Sequence, residues 1–249
     1  MRLCIILIIF LLPFQVLCKS LKLSAALTVE PYIIKANNTG FEVDIVREAF
    51  ALEGYSIKII YQPLRQTKIS FKKRYVDGAM TVKEDYPEIK GAYLSNQYIT
   101  YHNFVVTLKS RGIKIKKIAD LADKNMIAFQ QAKFVFGDEF RKMAKNNQKY
   151  KEMSNQESQI IMFFLNRTDA ILLDYHIFNY YKNRLKNIPT KQSVVFHELF
   201  PASIFRMALR EEKVRDAFNR GLRKIKKSGR YKKIIASYIG SINSNKLMQ

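Results

Sequence analysis

Asp174 closes the run Thr168-Asp169-Ala170-Ile171-Leu172-Leu173-Asp174, in which four apolar residues stand between two acids. The run is too short for a helix. Bounded by Asn166-Arg167 and the aromatic residues 175–181, it reads as a strand buried on both faces, as in a parallel sheet covered by helices. Ligands of such sheets sit beyond the carboxyl ends of the strands, so the Asp174 carboxylate is presented to a crevice. There it can hold an ammonium group or move a proton; its other reading is a cap for the following helix. A second run, Asp77-Gly78-Ala79-Met80-Thr81-Val82, has a similar form and delivers the Thr81 hydroxyl. Two strand exits this far apart predict two lobes whose strand ends face each other. For acid–base chemistry the candidates are Asp174, Glu30 and Glu84. His102, His176 and His197 stand beside no nucleophile motif, and no cluster has metal-ligand spacing, so no cofactor is expected.

The elements that position these groups alternate. Residues 21–27 read as a first strand. Val43, Val46, Phe50 and Leu52 recur near a 3.6 period and predict a helix stopped by Gly54. Residues 56–61 alternate as a strand ended by Pro63, and 66–74 predict a helix leading to Asp77. Residues 98–108 read as one long strand. After Lys109-Ser110-Arg111-Gly112 the pattern restarts with a short helix around 118–121, a strand over 126–129 and a helix over 136–145. Ser154 and Glu157 form a capping box for an apolar helix over 160–165. The strand 169–173, a helix over 175–182 and a strand over 194–197 follow. Two amphipathic helices end the chain, one lined by Val214, Ala217, Phe218, Leu222 and Ile225, the other by Tyr231, Ile234, Ile235, Tyr238 and Ile239. The alternation makes the chain α/β.

At 249 residues and 48% hydrophobic content the sequence can bury one large core or two smaller lobes, and disorder is excluded as its general state. Residues 1–18 read as a secretory leader: Arg2, an apolar run over 3–12, the break at Pro13, then Val16-Leu17-Cys18 before the cut. An uncleaved anchor and a lipid-modified Cys18 are the competing readings. Cleavage removes both Cys4 and Cys18, leaving a mature chain without a disulfide for an oxidising compartment. It also removes Arg2, leaving 42 Lys and Arg against 21 acids, a net charge of +21. Such a chain is drawn electrostatically to anionic surfaces such as membranes. Export and the lack of any nucleic-acid-binding motif argue against nucleic acid as partner.

Several of these stretches, in this order, resemble the bacterial extracellular solute-binding proteins of family 3, receptors typical of polar amino-acid ABC transporters. They are Gly40-Phe41-Glu42-Val43-Asp44-Ile45, Val76-Asp77-Gly78-Ala79-Met80-Thr81, Ile118-Ala119-Asp120-Leu121, the run ending at Asp174, and Phe218-Asn219-Arg220-Gly221-Leu222 with Gly229-Arg230-Tyr231. The resemblance implies a periplasmic-binding-protein type II fold: two α/β lobes joined by two crossover strands, with a ligand cleft between. It sets one lobe at 19–107 plus 199–249 and the other at 108–198. By the same resemblance, Asp174 holds a ligand ammonium, Thr81 meets a ligand carboxylate and Tyr32 packs on the ligand. The chain departs from the family where carboxylate is clamped, since Tyr86 stands in place of the usual arginine and Ala132-Lys133 in place of a Gly-Thr pair. Tyrosine cannot supply that positive charge. Lys133, Lys83 and Arg65 are the candidates to bring one into the cleft, with Gln131 and Phe134 as neighbours.

The expected function is capture of a small polar solute, an amino acid or an amine metabolite, by a monomeric periplasmic protein whose lobes close. A membrane permease or a sensor would read the closed form. Two alternatives stand beside it. One is a lyase on the same scaffold, like a cyclohexadienyl dehydratase. The other is a cationic surface-adsorbing protein with a vestigial cleft, suggested by Lys224, Lys226, Lys227, Arg230, Lys232 and Lys233.

Overall fold

In the computed structural model, residues 19–239 are described; the expected leader with Cys4 and Cys18, and residues 240–249, lie outside the described residues. Strand β1 (Lys19–Ala26) starts exposed and ends with four buried residues, as a strand does when it runs into the middle of a sheet. It lies parallel to β2 (Tyr55–Gln62) and β3 (Gly78–Val82). Between them, α1 (Phe41–Ala51) buries Phe41, Val43, Ile45, Val46, Ala49 and Phe50, and α2 (Leu64–Lys72) leads into β3. Two further strands, β4 (Tyr93–Leu94) and β5 (Ile99–Tyr101), complete the first sheet by pairing antiparallel with β11 (Ser203–Leu209), which also flanks β3.

The second sheet begins at Asn103. Its order is β10 (Val194–His197), β6 (Asn103–Leu108), β9 (Ala170–Asp174), β7 (Met126–Phe129) and β8 (Tyr150–Met153). Strand β9 is buried along its whole length, parallel to β7 and antiparallel to β6. Helices α3 (Gly137–Asn146), α4 (Gln156–Phe164) and α5 (Tyr175–Arg184) cover this sheet. The chain then returns to the first sheet through β11 and ends in α6 (Glu212–Lys227) and α7 (Arg230–Ile239), which pack on α1. Helix α7 also touches α5, so the last helix reaches across to the other lobe. One apolar cluster is continuous through both sheets, from Leu23 and Phe50 to Ile171 and Phe178. Among the described residues no helix is long and apolar enough to cross a membrane.

Several expectations change. The single strand over 98–108 is two strands in different sheets, broken at His102, because the chain crosses between lobes there. The expected short helix Ile118–Leu121 is present and is of the 3-10 type. The cap of α4 is Asn155, whose Oδ1 accepts from the Ser158 N–H at 2.9 Å, and not a box between Ser154 and Glu157. Strands β4, β8 and β11 were not expected. In β11 the alternation is hidden, since Arg206 sits mid-strand and the register with β3 shifts between Arg206 and Ala208.

Candidate functional site

The first-lobe half of the site is built by the turn before α1. Gly40 has φ +121°, and a Cβ there would lie 2.2 Å from the Tyr32 carbonyl oxygen, so only glycine allows the approach. The Glu42 N–H donates to that same oxygen at 3.0 Å, which seats Tyr32, Phe41 and Glu42 side by side. Tyr32 is fully buried, stacked on Tyr101 with ring centroids 3.9 Å apart. Glu42 is also fully buried. Its Oε1 accepts from the Thr81 hydroxyl at 2.5 Å and the Tyr98 hydroxyl at 2.5 Å, and its Oε2 accepts from Tyr101 at 3.3 Å. The Thr81 N–H in turn donates to the Tyr98 hydroxyl oxygen at 3.0 Å. Thr81 has φ +55°, an unfavourable conformation for a β-branched residue, held in place by these bonds. Burial raises the Glu42 carboxyl against the three hydroxyls that hold it down.

The second-lobe half is the junction of β9 and α5. Asp174 is 1% exposed and caps α5: Oδ1 accepts from the N–H groups of His176 at 2.8 Å and Ile177 at 3.1 Å. Its Oδ2 accepts from the His102 N–H at 2.8 Å. Asp174 is thus a strand-end acid that caps the following helix, the second of its two sequence readings. Burial pushes its carboxyl up to about 6, opposed by the amides of Ile177, His102 and His176 and by the nearby Tyr32 hydroxyl. Tyr32, whose hydroxyl donates to the Thr100 carbonyl at 3.4 Å, is raised by its own burial and next by the Asp174 charge. Burial alone holds His176 down at about 4, so it is neutral near pH 7.

Of the residues expected at a site, Asp174, Thr81 and Tyr32 therefore sit in one connected region with Glu42, Tyr98 and Tyr101. The remaining four are dispersed. Tyr86 packs with the cluster around Phe71, carries the Lys68 ammonium 3.8 Å from its ring centroid, and is pushed by burial up to about 12. Lys83 lies 5.6 Å from the Phe205 ring centroid, and Arg65 is exposed on α2. Lys133 is exposed with its ammonium 5.4 Å from the Phe134 centroid. The backbone amides of Gln131 and Lys133 donate to the Glu152 carboxylate at 2.9 and 3.1 Å, and Tyr150 donates to it at 2.9 Å. Glu42 stands in the stretch 40–45 without a role read from it, Tyr98 and Tyr101 lie before a crossing, and only the fold joins the three. Among the described residues no group of three His, Cys, Asp or Glu is placed to hold a metal.

Tyr98→Phe is expected to destabilise the protein by about 2 kcal/mol, since it removes a charge-assisted bond to Glu42 and the acceptor of the Thr81 amide. Urea denaturation measures this. A loss below about 0.5 kcal/mol would show that Glu42 does not depend on that hydroxyl.

Two α/β lobes, crossed twice by the chain, with strand ends meeting across a ligand cleft, define the type II periplasmic-binding-protein fold. The chain belongs to the bacterial extracellular solute-binding proteins, family 3, whose sequence pattern matches residues 21–241. No curated protein matches it in sequence. Among solved structures it is similar to the GluR0 ligand-binding core complexed with L-glutamate, at 14% identity and a TM-score of 0.71, covering 90% of this chain and 99% of that one. It is also similar to a mutant of the arginine-binding protein ArgBP from T. maritima, at 21% identity and a TM-score of 0.65, covering 88% and 94%. A third is the ancestral amino acid-binding protein AncCDT-1, a precursor of cyclohexadienyl dehydratase, at 22% identity and a TM-score of 0.62, covering 88% and 95%.

Proposed function

We propose that this protein is a periplasmic receptor for a small cationic solute, an amine or guanidinium compound, that needs no carboxylate. One observation carries the reading: Glu42 and Asp174 are both buried, both adjoin the Tyr32–Tyr101 stack, and among the described residues the groups that donate to them are hydroxyls and backbone amides. Buried carboxylates without a cation are costly, and a cation bound between the lobes relieves that cost. A solute reaches them as the lobes part, and closure then removes water and strengthens the contact. The donors that a ligand carboxylate would use support the same reading. Thr81 gives its hydroxyl to Glu42, and the Gln131–Lys133 turn gives its amides to Glu152, so the chain's own acids take the places of a solute's. The lobe limits 19–107 with 199–249 and 108–198, the leader, and delivery to an ABC permease or a sensor belong to this proposal. AncCDT-1, the neighbour that bears on the dehydratase alternative, is itself an amino acid-binding protein, and no observation of this chain favours catalysis over capture.

Calorimetry and thermal shift test the proposal on the mature chain, with arginine and lysine set against their decarboxylated counterparts agmatine and cadaverine. The amine is expected to bind at least as tightly as its parent amino acid, and Asp174→Asn to weaken it about 100-fold, close to the worth of one charge-assisted contact. Preference for the amino acids would overturn the ligand class. Unchanged amine affinity in Asp174→Asn would remove that residue from the site.

A further inference from the structure

His176 plays no part in that reading, yet it is 5% exposed and its Nδ1 has no hydrogen-bond partner among the described residues. An unpaired buried ring nitrogen is costly, so the packing that encloses this ring is tight around that atom. One side of the ring meets the aromatic wall of the candidate cleft, with Phe41 at 5.9 Å and Tyr32 at 6.1 Å between centroids. His176 also lines a cavity of about 230 Å³ where the first turn of α5 meets α6, α7 and the residues around β5. At about 30 Å³ per water, that space holds roughly seven waters, or an organic molecule of comparable bulk.

The walls have a definite chemistry. Phe41, Tyr98, Tyr231 and Ile235 supply apolar surface. Lys226 and Lys232 supply positive charge, and none of the lining residues is acidic. The Lys226 ammonium stays near the cavity, donating to the Gln97 carbonyl at 3.3 Å and lying 5.3 Å from the Tyr231 ring centroid. Two cations and an aromatic wall edged by a neutral imidazole suit a ligand with a flat apolar body and one negative charge. A bare inorganic anion would leave the apolar walls unused, and an amine would face two like charges.

We infer that this cavity is a second binding site, for a small amphipathic organic monoanion such as an aromatic carboxylate. The body lies against the aromatic wall, with His176 at its edge, and the carboxylate is held by Lys226 and Lys232. Because His176 belongs to the second lobe and the other lining residues to the first, an occupant touches both lobes.

The test uses calorimetry on the mature chain with benzoate as probe, and benzyl alcohol and sulfate as controls at matched ionic strength. Benzoate is expected to bind with a dissociation constant of about a millimolar, as suits a molecule this small. Benzyl alcohol and sulfate are each expected to bind at least about tenfold more weakly, and Lys226→Gln with Lys232→Gln to weaken benzoate about tenfold or more. Both lysines are exposed, so the double variant keeps its fold; Ile235→Trp, which fills the cavity, gives a second route to the same loss. Absence of benzoate binding, equal binding of sulfate, or undiminished binding in the double variant would each overturn the inference. Amine binding measured on the same samples reports on the cleft separately, so either site can fail alone.

Discussion

As pH falls from 7 to 4, Asp174→Asn is expected to lose stability relative to the parent protein, and His176→Gln to gain it. The Asp174 carboxyl is raised from 3.8 to about 6 in the folded chain, so between those values the native state holds a proton that the unfolded state has released. Acidification through 6 therefore stabilises the parent, by at most about 3 kcal/mol at 1.36 kcal/mol per pH unit. Asparagine keeps the cap and removes that gain. His176 has the opposite sign. Its pKa falls from 6.5 to about 4, so below 6.5 the unfolded state takes up the proton first and the parent loses up to about 3 kcal/mol. Glutamine abolishes that loss. In the parent the two terms offset each other over pH 4–6, which conceals both. Urea midpoints at pH 7, 6, 5 and 4 for the three proteins read the difference curves. Two variants running parallel to the parent would show that neither group is desolvated as described.

Gly221→Ala is expected to destabilise the protein by more than about 3 kcal/mol, despite the better helix propensity of alanine, which is worth about 1 kcal/mol. A Cβ at this position in α6 would lie 1.9 Å from the Ala49 carbonyl oxygen and 2.7 Å from its carbon. These are backbone atoms of α1, so no side chain can rotate away. The helices must separate, and separation breaks the packing of Phe50 on Phe218, whose centroids are 5.1 Å apart. At roughly 3 °C per kcal/mol for a chain of this size, the melting temperature falls by about 10 °C. A drop within about 1 kcal/mol would mean that α1 and α6 slide freely over each other, contrary to their contact.

Much of the fold was legible from short-range pattern. The helices α1, α5, α6 and α7 and the strands β1, β7 and β9 declared themselves because each buries one periodic stripe or a continuous apolar run. What stayed hidden depends on distance along the chain. Residues 98–108 look like one strand because both pieces are extended and apolar; only their separate partners, β11 and β9, reveal the break. The Glu42–Thr81–Tyr98 bonds join residues up to 56 positions apart, and no local signal predicts them. The place of Asp174 at a strand end was legible because its acid follows four apolar residues. Lys83 and Arg65 are expected in the cleft by charge and Lys133 by charge and its place in the resemblance, and a charge on a flexible stem does not determine where it points.

The break at His102 joins the crossing between the two sheets to the candidate site. Its N–H is held by the Asp174 carboxylate and its carbonyl receives the Tyr175 N–H, so the pivot between halves is fastened to the very acid that would grip a solute. Any charge neutralised at Asp174 is felt at the pivot without an intermediary. If Asp174 takes the proposed cation, occupancy and the backbone at the crossing are read at a single residue pair.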